Sequence, residues 1–375
     1  MDVVRIFKEK WRTESGLKMI HRYMTVNTHS DSRDTNGDYQ SDTLADYDYA
    51  YTERIYSAYG IVGRVINKWK FQAGLRFEQS YQEPNLISEN QSYSNDYFNI
   101  FPSGHIRYEV VKGSEFSLGY SKRINRPSSE NLNPFTSYAD PYNLRRGNPA
   151  LRPEYIHSVD LSFEHTRKKW GLTASLYQRY SIEVIQRVKI FYADGTSAGT
   201  FANIDNSSST GGELIFQLKP LPIWRNTLSF NGNYIRYIDD QTSVNWNREG
   251  FVYGVKFATT VELMKRTLTI QLNGRYNAPS VTAQGQMQPR GSMEFSAEKS
   301  FHDGKWAVGM RVSDVFNTQG FRFKVEQPTV TQEMSFKQET RRLFITMRYK
   351  FGRNDFTDRK KGNDPQPGGG GGFDF

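Results

Sequence analysis

From Arg341 to Gly352 the chain reads RRLFITMRYKFG, with its apolar residues on alternate positions. Leu343, Ile345, Met347, Tyr349 and Phe351 share one parity; Arg342, Thr346, Arg348 and Lys350 share the other, and Phe344 is the exception. A period of two marks a β-strand with two unlike faces. The pattern recurs. RTLTIQLNGRY sets Leu268, Ile270, Leu272 and Tyr276 against Thr267, Thr269, Gln271, Asn273 and Arg275. FVYGVKFATTVEL, KWAVGMRVS and WKFQAGLRFEQ do the same, and weaker versions lie around 14–27, 50–66, 96–111, 113–122, 155–165, 170–180, 209–218, 224–237 and 290–299. About fourteen segments result, each near the ~9–11 residues of a tilted membrane-spanning strand.

The connections show a second regularity. Short ones at 67–68, 112–114, 167–169, 264–266 and 302–304 alternate with long polar ones near 28–49, 79–95, 123–154, 181–208, 238–249, 277–289 and 317–336. A soluble sandwich has no reason to gather its long loops at one end. A transmembrane barrel does, with short turns on the periplasmic side and long loops outside. In hydrocarbon every backbone donor and acceptor must pair internally, so strands survive there only in a closed barrel. The sequence therefore predicts an all-β fold, a transmembrane antiparallel up-and-down β-barrel whose apolar rows meet lipid and whose charged rows meet water. A soluble repeat or sandwich β-protein is the rival, and it leaves the loop alternation unexplained.

Composition fits this expectation. The mean hydropathy of −0.71 is low, because only every second residue is apolar and the loops are long. No apolar run approaches the ~20 residues of a spanning helix. Aromatic residues are heavy, with 23 Tyr, 25 Phe and 6 Trp, many near strand ends. The 49 Lys and Arg outnumber the 40 Asp and Glu without forming a long basic run, which argues against nucleic acid as a partner. With no cysteine there is no disulfide framework, thiolate nucleophile or zinc-thiolate site. The opening MDVVRIFKEKWRTESG lacks the basic and apolar regions of a signal peptide.

The loop GNPALRPEY, Gly147 to Tyr155, resembles the NP-x-L-(K/R)-PE signature of TonB-dependent outer-membrane receptors. The wider run, with Arg126-Pro127, Asn133-Pro134-Phe135 and Asp140-Pro141, is similar to the outer-membrane β-barrel family of Bacteroidota-type receptors, as are 16–25, 71–79, 98–108 and 313–319. The resemblance runs from about residue 14 to 352. It implies that about 14 strands are present of a 22-stranded barrel, which in the family surrounds an N-terminal plug. Plug, energy-coupling box and signal peptide have no match here. Residues 1–13 are expected to be the remnant of a preceding strand and periplasmic turn, 14–352 the C-terminal part of the barrel, and 353–375 a disordered Gly/Pro-rich periplasmic tail. Alone, such a chain is expected to close as a smaller barrel or to fail to insert.

The family loop motif comprises Gly147, Asn148, Pro149, Leu151, Arg152, Pro153 and Glu154. Its prolines belong in loop or strand-start positions; its arginines suit acidic loops, lipopolysaccharide phosphates or substrate, with a structural rim as the alternative. Tyr138, Tyr142, Arg145 and Arg146 are candidate ligand contacts, since aromatics stack on sugars or aryl groups and Arg binds anions. Met347, Tyr349 and Phe351 match the terminal pattern that barrel-assembly machinery reads in the family. Asp34, Asn36 and Asp38 resemble half of a calcium loop but lack the downstream Glu; a solvated turn is the alternative. The six His show no metal spacing, and no nucleophile elbow is present, so neither enzyme activity nor a cofactor is expected.

The function implied is import of a scarce ligand, a chelated metal or an oligosaccharide, across the outer membrane of a Gram-negative bacterium. Lipid, lipopolysaccharide and the assembly machinery are the expected partners, with an inner-membrane energy-coupling protein reached only through a plug. A passive channel or structural barrel of about fourteen strands is the alternative.

Overall fold

Each alternating segment becomes a strand paired to its sequence neighbours in a computed structural model that describes residues 2–7, 11–33, 35–41, 45–239, 246–326 and 330–351. The main sheet has 17 strands. Two are short, Gln91–Ser92 and Asn143–Arg145, and the others form the wall. These are β1 (Asp2–Phe7), β2 (Trp11–Thr28), β3 (Tyr47–Ile66), β4 (Trp69–Leu86), β5 (Asn95–Val111), β6 (Ser114–Asn125), β7 (Glu154–Thr166), β8 (Trp170–Phe191), β9 (Ser197–Leu221), β10 (Trp224–Ile238), β11 (Arg248–Leu263), β12 (Leu268–Asn277), β13 (Arg290–Phe301), β14 (Trp306–Ser313) and β15 (Arg342–Tyr349). Every wall strand pairs antiparallel with its neighbour in this order, an up-and-down meander. The fourteen segments read from the sequence are all present, and β1 adds one more. Among the described residues β1 and β15 do not pair with each other, so each leaves one edge of the sheet open.

Cross-strand register puts the apolar rows on one face. Leu272 lies opposite Phe295, Ala297 opposite Met310, and Met310 opposite Ile345. Leu343, Ile345, Met347 and Tyr349 are 52–74% exposed on the outer face, the side that meets lipid. Phe344, out of phase, turns inward, where the Arg311 guanidinium lies 4.4 Å from its ring centre. The inward rows carry ion pairs such as Arg348–Glu298 at 2.8 Å.

The short turns define one end. Trp11, Trp69, Trp170, Trp224 and Trp306 are each the first residue of a strand leaving that end. Trp69 packs on Tyr108 at 4.4 Å and Trp306 on Tyr349 at 4.3 Å. Indole rings belong where hydrocarbon gives way to headgroups, so this belt marks the periplasmic boundary. Asn67 in the 67–68 turn takes φ 53° and Gly113 φ 82°, left-handed values that tight turns require.

The opposite end departs from the sequence expectation. The segment 181–208, read as a long loop, is instead strand: β8 and β9 run 22 and 25 residues and meet at a turn over 192–196. At about 3.3 Å per residue this hairpin rises far above an apolar band of about 25 Å. Above the lipid the apolar-out rule lapses, and SAGTFANIDNSSST no longer looks like a strand. The segments 277–289 and 317–336 are likewise not plain loops. They carry strands Ser280–Thr282, Gly285–Met287, Phe321–Glu326 and Thr331–Phe336, which form a separate four-stranded sheet. The tail from 353 lies outside the described residues.

Candidate functional site

The loop between β6 and β7 folds inward over the wall. Its root is held in the lumen: Arg126 pairs with Glu78 and donates to Ser80 at 3.1 Å, while Gln82 donates to the Pro127 carbonyl at 3.2 Å and to Tyr51 at 2.7 Å. Glu53, 3% exposed, takes Arg22 at 2.8 Å. A one-turn helix, Ser129–Leu132, is closed by reciprocal bonds between Ser128 and Asn131. Leu132 and Leu151 then pack with Tyr49, Tyr51 and Leu86, and Phe135 stacks on Tyr47 at 3.9 Å.

The family motif occupies the return leg. Gly147 N–H donates to the Asn133 carbonyl at 2.7 Å and Asn148 N–H to that of Asn131 at 2.6 Å. The Asn148 side chain donates to the Phe201 carbonyl at 3.0 Å, and the Pro149 carbonyl accepts from Asn95 at 3.1 Å. Arg152 pairs with Glu183 at 2.8 Å, and Glu154 accepts from Asn125 at 3.1 Å. Pro153 closes the leg beside the fully buried Leu151. The polar atoms of this segment are thus engaged in holding the loop to its neighbours.

Between motif and helix, Asn143–Arg145 runs parallel to Ser197–Gly199 along the edge of β9, beyond the point where β10 stops pairing. On the other side, the four-stranded sheet docks through Gln284, whose amide accepts from Lys189 N–H at 2.6 Å and donates to the Lys189 carbonyl at 3.1 Å. A cavity of about 610 Å³ lies between them. One wall carries Arg145, Arg187 and Lys189; the other presents Phe321, Phe323 and Met334. The Lys189 ammonium donates to Asn143 at 2.8 Å and to Gln332 at 2.7 Å, tying the two walls together. Asp140, also at the rim, accepts from the Asn143 side chain at 2.9 Å and from Tyr142 N–H at 3.0 Å. Those bonds, Asn143 first, hold its carboxyl below the usual carboxylate range. Three cations against one carboxylate leave the cavity positive, and a cationic wall facing an aromatic one suits an anion with an apolar body.

Of the four candidate ligand contacts, Arg145 alone lines this cavity. Tyr138 and Tyr142 are exposed outside it, and Arg146 donates its N–H to the Gly199 carbonyl at 3.0 Å. Arg187, Lys189, Phe321 and Phe323 escaped the sequence because they come from segments read as plain loops; the alternation in FRFKVE was the available signal. For the calcium candidate, Asp34 lies outside the described residues, while Asn36 and Asp38 sit in and just after a turn. Among the described residues no group of three or more His, Cys, Asp or Glu could hold a metal ion. Phe351 follows β15 and is 87% exposed, beyond the outward Tyr349 and Met347.

Solved structures share this architecture. The siderophore receptor PiuA from Acinetobacter baumannii superposes with a TM-score of 0.66 at 12% identity, covering 93% of this chain and 55% of that one. The ferric yersiniabactin uptake receptor FyuA from Yersinia pestis gives 0.64 at 13%, covering 94% and 53%. The closed form of the ferric-catecholate import receptor Fiu from E. coli K12 gives 0.61 at 8%, covering 86% and 50%. At these identities the likeness is one of fold, and the chain spans about half the length of each of these structures. No curated protein matches by sequence. The sequence profile of the outer membrane protein beta-barrel family matches residues 1–349. With the lipid-facing rows, the periplasmic Trp belt and the projecting outer hairpins, that match establishes the chain as a member of the outer membrane protein beta-barrel family, resident in the outer membrane of Gram-negative bacteria.

Proposed function

We propose that this chain is the C-terminal wall of a TonB-dependent import receptor of the Bacteroidota type, and that the cavity under the β8–β9 hairpin is where its ligand first binds. The observation that carries this reading is the cavity's division into a cationic wall and an aromatic one. It favours an anionic metal chelate with an apolar or aryl body over a neutral oligosaccharide. The fold's likeness to receptors for ferric yersiniabactin and for siderophores supports the same class.

On this reading the open edges of β1 and β15 meet further strands that complete a barrel of about 22, with a plug in the lumen. Unpaired edge groups in hydrocarbon are costly, which argues against a passive pore made of this chain alone. Residues 1–13 would then continue a preceding strand, and 353–375 would extend into the periplasm. Met347, Tyr349 and Phe351 would engage the assembly machinery, lipopolysaccharide would surround the outer half of the wall, and energy would arrive through the plug.

The test is ligand binding by the intact receptor with Arg145→Ala and Arg187→Ala combined. Each lost charge-assisted bond is worth about 1.5–3 kcal/mol, so anionic ferric chelates should bind at least roughly tenfold more weakly. Unchanged affinity would place the ligand elsewhere.

A further inference from the structure

The lipid-facing side of the wall carries its own groove. Adjacent rows follow from the register: Trp11, Arg64, Phe71, Ile106 and Leu118 in one, then Thr13, Val62, Ala73, Gly104 and Tyr120 in the next. The second row dips to Ala73 and Gly104 between bulkier flanks, leaving a hollow of about 610 Å³. A hollow in a barrel's outer face fills with whatever surrounds the barrel, and here that is lipid.

At its periplasmic end stands a cation. Arg64 lies on the outward parity two residues before the end of β3, with its guanidinium 4.6 Å from the centre of the Trp11 ring. Among the described residues it has no carboxylate partner. The indole holds it at the belt where headgroups begin, and a guanidinium's planar donors match a phosphate.

We propose that this groove is a binding site for one anionic phospholipid of the periplasmic leaflet, its phosphate on Arg64 and an acyl chain lying over Ala73 and Gly104. The groove contributes shape and area; Arg64 contributes preference for negative charge.

The protein extracted from outer membranes and stripped of lipid should be titrated with phosphatidylglycerol, or with phosphatidylcholine of identical chains, and the adducts weighed by native mass spectrometry. The first phosphatidylglycerol should bind about 5-fold more tightly than phosphatidylcholine, the contribution expected of one cation at a membrane surface. Arg64→Gln should erase that preference. Gly104→Leu should weaken both lipids alike while keeping the preference, because a Cβ there meets only the Gln72 carbonyl oxygen, at 3.9 Å. Equal binding of the two lipids by the unaltered protein overturns the proposal without recourse to a variant. So does a mass increment equal to a second copy of the chain in place of lipid.

Discussion

A Cβ added to Gly147 would stand 2.5 Å from the Asn133 carbonyl oxygen, 2.6 Å from that of Asn131 and 2.7 Å from that of Glu130. Three backbone oxygens cannot all retreat without undoing the turn that seats Leu132. Gly147→Ala should therefore destabilise the β6–β7 loop by about 1–3 kcal/mol, seen as faster proteolytic nicking within 126–153; wild-type resistance would contradict the packing. Asp314 makes a comparable case at the root of the last loop. Burial pushes its pKa up, but bonds from the Thr340 hydroxyl, Gln319 N–H and Thr318 more than offset this, and the net shift is downward. A carboxylate lowered on folding lends stability that is present above its unfolded pKa of about 4 and lost as pH falls through the lower folded value. The protection factors of the Thr318 and Gln319 amides, measured against the intrinsic exchange rate at each pH, should thus hold at neutral pH and fall below about pH 4. Flat protection down to strongly acid pH would exclude the carboxylate as the anchor. At this scale the sequence spoke unevenly. Gly147 stood out through its motif, whereas the companions of Asp314 include Thr340, a residue 26 positions away that only the pairing of β14 with β15 brings near.

Strands were legible where lipid enforces two unlike faces, and obscure where it does not. β12 shows the rule in full: Leu268, Ile270 and Leu272 face out, and Thr269, Gln271 and Asn273 face in. An arginine at Leu272 should cost about 2–4 kcal/mol, and one at Gln271 close to nothing. Folding yield into vesicles for the two variants measures the difference, and equal yields would undo the facial assignment. The upper parts of β8 and β9 had no such enforcement. Val184, Val188 and Ile204 there are buried beneath Tyr237, Trp246 and Ala283, so apolar residues face protein instead of hydrocarbon and the period-two signal fades into Ser, Thr and Asn. The same loss of contrast hid the small outer sheet.

Across the whole molecule, the wall is a property of local alternation, while the outer cavity is a property of assembly. Arg145 arrives on a short parallel strand, Lys189 on a hairpin, and Gln284 from a sheet 95 residues further along the chain. No linear spacing encodes that meeting, which explains why one of four candidate ligand residues lines the cavity. All of it depends on the wall having lipid on one side and water on the other. Because the chain contains no cysteine, single cysteines at positions 268 to 276 can each carry a spin label in the membrane-embedded protein, and collisions with oxygen and with a water-soluble nickel complex can be compared along the strand. Labels at 268, 270 and 272 should favour oxygen, those at 269, 271 and 273 nickel, with a period of two. The inverse phase, or no alternation, would contradict the account.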